Sequence, residues 1–232
     1  MDTTTRNPVT ETTIATAVQQ LLRSPSLPVY VQQFQSLLQA EHEKRERFYE
    51  EMSEEHKVEF INGEIVMQSP AQLRHTMASK NLLMLLDTYV QEHELGFVGH
   101  EKMLVTLSRN DYEPDFCYFG PGKSQTFTLD QMKFPAPDLV VEILSPSTES
   151  NDRGVKFLDY AAHGVVEYWI VDPDTEVIEQ YMLGDEAYQL RFKADTGIVR
   201  SIAVEGLIVP VRAIFDEAER LLAVREILQS IE

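Results

Sequence analysis

Basic side chains, cysteine and long apolar runs are all scarce in this chain, and each scarcity closes off a class of function. Lysine and arginine together number 20 against 38 aspartates and glutamates, leaving a formal net charge of −18. A protein that grips nucleic acid mainly through phosphate contacts usually presents a basic face, because released counterions supply much of the affinity. The summed field here slows encounter with any polyanion. Much of the acidic excess lies in EHEKRERFYEEMSEEHKVE, so a distant site need not feel all of it. The single cysteine, Cys117, excludes an internal disulfide framework and fits a reducing, cytoplasmic setting. Its apolar neighbours mark it as a small core residue rather than a nucleophile. No apolar run approaches the roughly 18 residues that span a bilayer. The opening MDTTTRNPVTETT has neither the charged nor the apolar region of a signal peptide. Membrane insertion and secretion are therefore not expected.

What remains is an ordinary globular composition, 43% hydrophobic over 232 residues, enough for one well-cored domain with appendages. The reading divides the chain into an N-terminal arm over 1–28, a domain over 29–210 and a C-terminal helix over 211–232. Residues 1 to about 13 are Thr-rich and expected to be disordered. IATAVQQLLRS reads as a short helix stopped before Pro25 and Pro28. From Val29 to Glu51, Val31, Phe34, Leu37, Leu38 and Phe48 recur at helical spacing, with a solvated charged face of mixed sign. KVEFINGEIVMQSP predicts a β-hairpin turning at Asn62-Gly63, the dipeptide suited to positive φ. A helix over Gln72–Glu94 closes near Gly96. FVGHEKMLVTL reads as one strand, EPDFCYF as another, and DLVVEIL as a central strand buried on both faces. A helix over Asn151–Ala162, the strand VVEYWIVDP, an outer strand pair about Gly184-Asp185 and a helix over Val211–Ile231 complete the order. The expected fold is mixed α/β, helices flanking a central mixed sheet.

Chemistry is concentrated at two acidic residues 27 positions apart, Asp115 in EPDFCYF and Glu142 in PDLVVEILSPST. Alternate residues share a face of a strand, so Asp138, Val140, Glu142 and Leu144 point one way. An isolated carboxylate there costs several kcal/mol to ionise. It must be protonated, paired with a cation or holding a metal. Asp138 is about 13 Å along the strand from Glu142 and cannot share an ion with it, whereas Asp115 on a strand about 4.8 Å away can. Two hard oxygen donors with open positions suit Mg²⁺ or Mn²⁺. Such an ion acidifies water and neutralises a scissile phosphate. Lys156 on the following helix would orient the attacking water or stabilise developing charge.

Other readings stay open. Glu142 would, without metal, be a buried ion pair with Arg153 or Lys156. Asp115 would be a turn residue after Pro114, and Lys156 a surface partner of Asp152 or Asp159. Glu59 before the hairpin turn and His75 near the next helix start are candidates for a further metal ligand or for substrate phosphate. Arg153 is a second candidate for substrate binding. Asp172-Pro173-Asp174 marks a strand end and is assigned no chemistry.

At these residues the chain resembles the Uma-two family of restriction-endonuclease proteins, within the PD-(D/E)XK nuclease superfamily. The resemblance spans roughly residues 30–210 and rests on VEFINGEIVM, the helix near His75, EPDFCYF and PDLVVEILSPSTESNDRGVKFLDYAAHGVVEYWIVDP. It implies a restriction-endonuclease-like core, with Asp115 and Glu142 as the two acidic residues of the superfamily. The usual lysine two positions after Glu142 is replaced by Leu144, and the resemblance implies that its role has moved to Lys156. It also implies that Glu59 is an accessory metal ligand.

The function expected is a Mg²⁺- or Mn²⁺-dependent DNA endonuclease, cytoplasmic and homodimeric, since double-strand cutting needs two symmetry-related sites. A catalytically silent nuclease-fold binding or regulatory module is the alternative; the acidic balance and the displaced lysine favour it, and retention of both carboxylates opposes it. A hydrolase of smaller phosphodiesters is a third reading, for which the negative field is less of an obstacle.

Overall fold

The structure, a computed structural model, describes residues 11–52, 57–185 and 187–229. The Thr-rich stretch expected to be disordered lies largely outside those residues. The chain divides into two compact units, Met1–Glu51 and Met52–Glu232. The first unit contains α1 (Glu11–Leu22) and α2 (Leu27–Glu51). Pro25 disfavours helical backbone at Ser24, and the Leu27 N–H returns to the Ser24 carbonyl at 3.0 Å. The two helices expected from sequence are thus separated here, with Pro28 inside the first turn of α2. Phe34, Leu37 and Leu38 of α2 are exposed.

The second unit opens with the expected hairpin, β1 (Val58–Ile61) and β2 (Glu64–Met67). Asn62 and Gly63 take φ of 51° and 80°, the left-handed backbone that a two-residue turn demands. Next come α3 (Leu73–Glu92), β3 (Phe97–His100), β4 (Leu104–Thr106), β5 (Asp111–Tyr112) and β6 (Phe116–Phe119). Then follow α4 (Pro121–Ser124), β7 (Lys133–Phe134), β8 (Leu139–Ile143), α5 (Glu149–Asp152) and α6 (Val155–Ala162). The chain continues through β9 (Glu167–Asp172), β10 (Val177–Leu183), β11 (Tyr188–Ala194), β12 (Ile198–Arg200) and β13 (Ile208–Pro210). It closes with α7 (Val211–Phe215) and α8 (Glu217–Gln229).

The central layer is a six-stranded mixed sheet in the order β11-β10-β9-β8-β6-β3. β8 runs parallel to β9 and antiparallel to β6. All five of its residues are buried, as a strand covered on both faces should be. Leu139, Val141 and Ile143 join a core with Leu82, Leu85 and Leu86 of α3 and Ile214 of α7. Val140 and Leu144 join the opposite core, with Tyr112, Tyr160, Val165 and Tyr168. A second sheet, β2-β1-β5-β4-β7, carries the N-terminal hairpin, and β12 and β13 form a separate pair.

Three expected elements are divided. FVGHEKMLVTL is not one strand: Glu101 and Lys102 have φ of 48° and 36°, and this left-handed step carries the chain from β3 in the larger sheet to β4 in the smaller one. The helix before His163 breaks at Arg153–Gly154, and Gly154 (ψ −103°) starts α6 afresh. The C-terminal helix breaks at Asp216, whose extended backbone ends α7 while its Oδ1 accepts the Ala218 and Glu219 N–H groups at 2.8 and 3.0 Å. That carboxylate is the N-cap of α8. Among the described residues, no helix is long and apolar enough to cross a membrane.

Candidate active site

The register of the large sheet brings the two acidic residues together. Phe116 pairs with Val141 and Cys117 with Val140 in antiparallel sense. One step further along the same ladder sets Asp115 beside Glu142. Directly opposed residues share a face. The Ile143 N–H donates to Asp115 Oδ2 at 2.8 Å, tying the acid at the mouth of β6 to the end of β8.

Behind Glu142 lies Lys156, in the first turn of α6 and only 1% exposed. Its Nζ is 2.8 Å from Glu59 Oε1, 3.1 Å from Glu142 Oε1 and 3.1 Å from Asp152 Oδ1, and all three carboxylates are buried. The ring centroid of Tyr112 lies 5.9 Å from the same nitrogen. Glu59 Oε1 also accepts the Glu113 N–H at 3.0 Å. One ammonium cannot balance three anions. Burial, then the neighbouring Asp152, Asp115 and Glu59, push the Glu142 carboxyl well above its ordinary range despite the pull of Lys156. Burial alone would lower the lysine, but Glu142, Glu59 and Asp152 hold it charged.

Asp115 is arranged differently. Lys57 Nζ lies 2.9 Å from its Oδ1 and His75 Nε2 lies 3.5 Å from its Oδ2. Burial would raise this carboxyl, yet Lys57 and then His75 hold it far below the usual range. Burial likewise opposes protonation of His75, and the contact with Asp115 overrides it and raises the imidazole.

Both acids open on one cleft of about 550 Å³, lined also by Lys57, Gln72, His75, Ser145, Ser147, Thr148 and Lys156. A larger apolar cavity of about 1040 Å³, walled by Phe97, Met103, Phe127 and Met132, contains none of this chemistry. The smaller cleft is the candidate site, because charged groups converge there. Around it four buried carboxylates, those of Glu59, Asp115, Glu142 and Asp152, face the two ammonium groups of Lys57 and Lys156. The buried carboxylates outnumber these ammonium groups, a balance that favours a further cation. Among the described residues, no three His, Cys, Asp or Glu side chains are grouped to cage a metal. Asp115 and Glu142, the two acids that line the cleft, are the residues that could hold a largely hydrated divalent ion.

Asp115, Glu142, Lys156 and His75 all line this one cleft. Glu59 is close by, but its contacts are to Lys156 and a peptide N–H, and it does not line the cleft. Arg153, expected to bind substrate, is elsewhere: its guanidinium forks onto Glu179 with two bonds of 3.0 Å and donates to Glu149 at 2.9 Å. Two site residues escaped sequence reasoning. Lys57 sits two positions before Glu59, the spacing that shares a strand face. Asp152, four before Lys156, reads as a surface partner and is in fact 1% exposed.

A model of the Uma2 family, described as "Putative restriction endonuclease", matches residues 41–212. "Uncharacterized protein sll1609" of Synechocystis is 30% identical over 138 residues, 58% of this chain and 77% of that protein. "Uncharacterized protein slr1290" of the same organism is 28% identical over 171 residues, 72% and 82% of the two chains. The fold is shared with the crystal structure of "a putative nuclease belonging to DUF820" from Anabaena variabilis, at a TM-score of 0.64 and 19% identity, covering 75% of this chain and 96% of that one. The mixed α/β, restriction-endonuclease-like core expected from sequence is the one found. By the span of the family match, the chain belongs to the Uma2 family of restriction-endonuclease-like proteins.

Proposed function

We propose that this protein is a Mg²⁺- or Mn²⁺-dependent endonuclease that hydrolyses phosphodiester bonds in DNA. The observation that carries the reading is the meeting of Asp115 and Glu142 on adjacent antiparallel strands, both opening on one cleft with Lys156 behind them. Asp115 and Glu142 would hold the metal. When bound, the ion supplies a Lewis acid for the phosphoryl oxygen and acidifies water in the cleft. Lys156 is charged and immobile, so it orients the Glu142 carboxylate toward the cleft and offers positive charge to the transition state from behind. Glu59 and Asp152 position that ammonium from the far side. His75, at the cleft wall with Nε2 on Asp115, would place its positive charge near a substrate phosphate. Arg153 has no part in this scheme.

The buried, reduced Cys117 is in keeping with a cytoplasmic protein. Cutting both strands of a duplex requires two symmetry-related sites, which supports a homodimer.

The test is plasmid cleavage across Mg²⁺, Mn²⁺ and Ca²⁺ with the wild type, Asp115→Ala and Glu142→Ala. Both variants should lose about 100-fold or more of the wild-type rate while keeping the circular dichroism of the wild type. Cleavage that survives in either purified variant removes the assignment. One observation favours a second reading, a silent nuclease-fold module: Glu142 is already paired to a buried ammonium, in a chain of net charge −18. That reading requires no cleavage of DNA with any divalent ion.

A further inference from the structure

Asp115 meets three donors, and they differ in whether they can leave. The Ile143 N–H belongs to the backbone at the end of β8. His75 is fixed in the first turn of α3. Lys57 ends in an ammonium on a flexible four-carbon stem, 2.9 Å from Oδ1, with its side chain 17% exposed toward the cleft. An ion that takes Asp115 needs the oxygen that Lys57 now holds. A divalent cation and an ammonium on one carboxylate repel each other, and the ion's double charge loosens the hold of the ammonium.

We propose that Lys57 is a built-in competitor for the metal position on Asp115: it neutralises the carboxylate while the ion is absent, and swings into the cleft as a phosphate-binding group when the ion arrives. This inference rests on the nuclease reading above and adds an order of events to it. Besides the site residues themselves, the walls carry Glu101 at the exposed rim and neutral groups such as Gln72, Ser145, Ser147 and Thr148, and Glu113 also lies within electrostatic reach of Lys57. With Glu142 engaged by the ion, the released ammonium adds positive charge where a phosphodiester would lie. A chain of net charge −18 thus offers a cation to a polyanion once metal is in place, so metal binds before DNA. Lysine suits this task because its compact charge sits on a mobile stem.

The experiment measures Mn²⁺ affinity of the full chain by calorimetry for the wild type, Lys57→Met and Lys57→Arg. Removing the competing charge should tighten Mn²⁺ binding about tenfold in Lys57→Met, while Lys57→Arg stays near the wild type. The same Lys57→Met variant should bind a short duplex more weakly in Mg²⁺, which a merely structural lysine would not produce alongside tighter metal. A second readout needs no variant: amine-reactive labelling of Lys57 in the wild type, followed by mass spectrometry, should quicken several-fold when Mg²⁺ is added. If Lys57→Met fails to fold, that labelling decides alone. Equal Mn²⁺ affinity in wild type and folded Lys57→Met, or labelling indifferent to saturating Mg²⁺, overturns the competitor role and leaves the nuclease reading standing. Absence of Mn²⁺ binding in both proteins overturns the two together.

Discussion

Around Lys156 three carboxylates converge on one buried ammonium, whereas around Asp115 one carboxylate is shared among an ammonium, an imidazole and a peptide N–H. The inner group has too much negative charge and no solvent to dilute it. The outer group has cations to spare and borders the cleft. Buried charge is tolerated in both places, but by opposite means. Inside, burial pushes Glu142 and Asp152 toward their protonated forms. Outside, Asp115 stays ionised because two basic side chains reach it. The inner group is buried throughout, and the outer one borders the cleft where the proposed ion would enter. A metal ion would join the two, relieving the inner excess through Glu142 and replacing the outer cation at Asp115.

The comparison breaks hardest at its foundation. Lys156→Met strips the only ammonium from three buried carboxylates and should cost about 3–5 kcal/mol in urea unfolding, the scale for breaking a buried pair from one side. A loss below about 1 kcal/mol would mean that the cluster is already protonated and neutral. A pair remote from both halves sets the middle of the scale. Arg153, Tyr181 and Lys193 draw the Glu179 carboxyl down to about 2 against the opposition of burial, below its ordinary 4.5. Its folded value lies below the unfolded one, so this contribution is complete above about pH 4.5 and is lost as the pH falls through about 2. Glu179→Gln should flatten the acid limb of a stability–pH curve across that window; an unchanged limb would contradict the assignment.

On the outer face, Lys57→Met should cost only about 1 kcal/mol, because Asp115 keeps His75 and the Ile143 N–H and lies beside solvent. A cost matching that of Lys156→Met would erase the distinction between the halves. The smallest effect is expected at Asp152, whose Oδ1 lies 3.1 Å from Lys156 Nζ without a well-formed hydrogen bond. Asp152→Asn removes one of the excess charges and should change the unfolding free energy by less than about 1 kcal/mol, possible gain included. A loss of several kcal/mol would show that all three carboxylates are needed at full charge.

How far the sequence reveals this arrangement depends on whether a contact is local. Glu142 stands out because an acid in DLVVEIL breaks the apolar pattern of a buried strand, and Asp115 because its strand can lie next to that one. The actual register between β6 and β8 joins residues far apart in the chain and is visible only in the fold. Lys57 was within reach of the same period-two argument that linked Asp138 to Glu142, since it precedes Glu59 by two. Asp152 was not: helical spacing places it beside Lys156 but says nothing about whether that face meets water or Tyr168, whose hydroxyl donates to the Asp152 carbonyl at 2.9 Å. Arg153 misled because its neighbours in sequence are site residues, while its partner Glu179 comes from β10. The breaks at Glu101–Lys102 and Asp216 came from backbone conformation and capping, which apolar periodicity does not report. In α2 the periodicity was real, yet Phe34, Leu37 and Leu38 are exposed. Spacing defines a helix face without saying what covers it.

The central claim is that Asp115 and Glu142 together take one divalent ion in the cleft. Crystals grown in Mn²⁺ and measured at the manganese absorption edge test it most directly. The account predicts one anomalous peak within about 2.0–2.4 Å of an oxygen from each carboxylate, with Lys57 withdrawn from Asp115. A cleft without a peak at saturating Mn²⁺, with Lys57 still on Asp115 and Glu142 held only by Lys156, would contradict it.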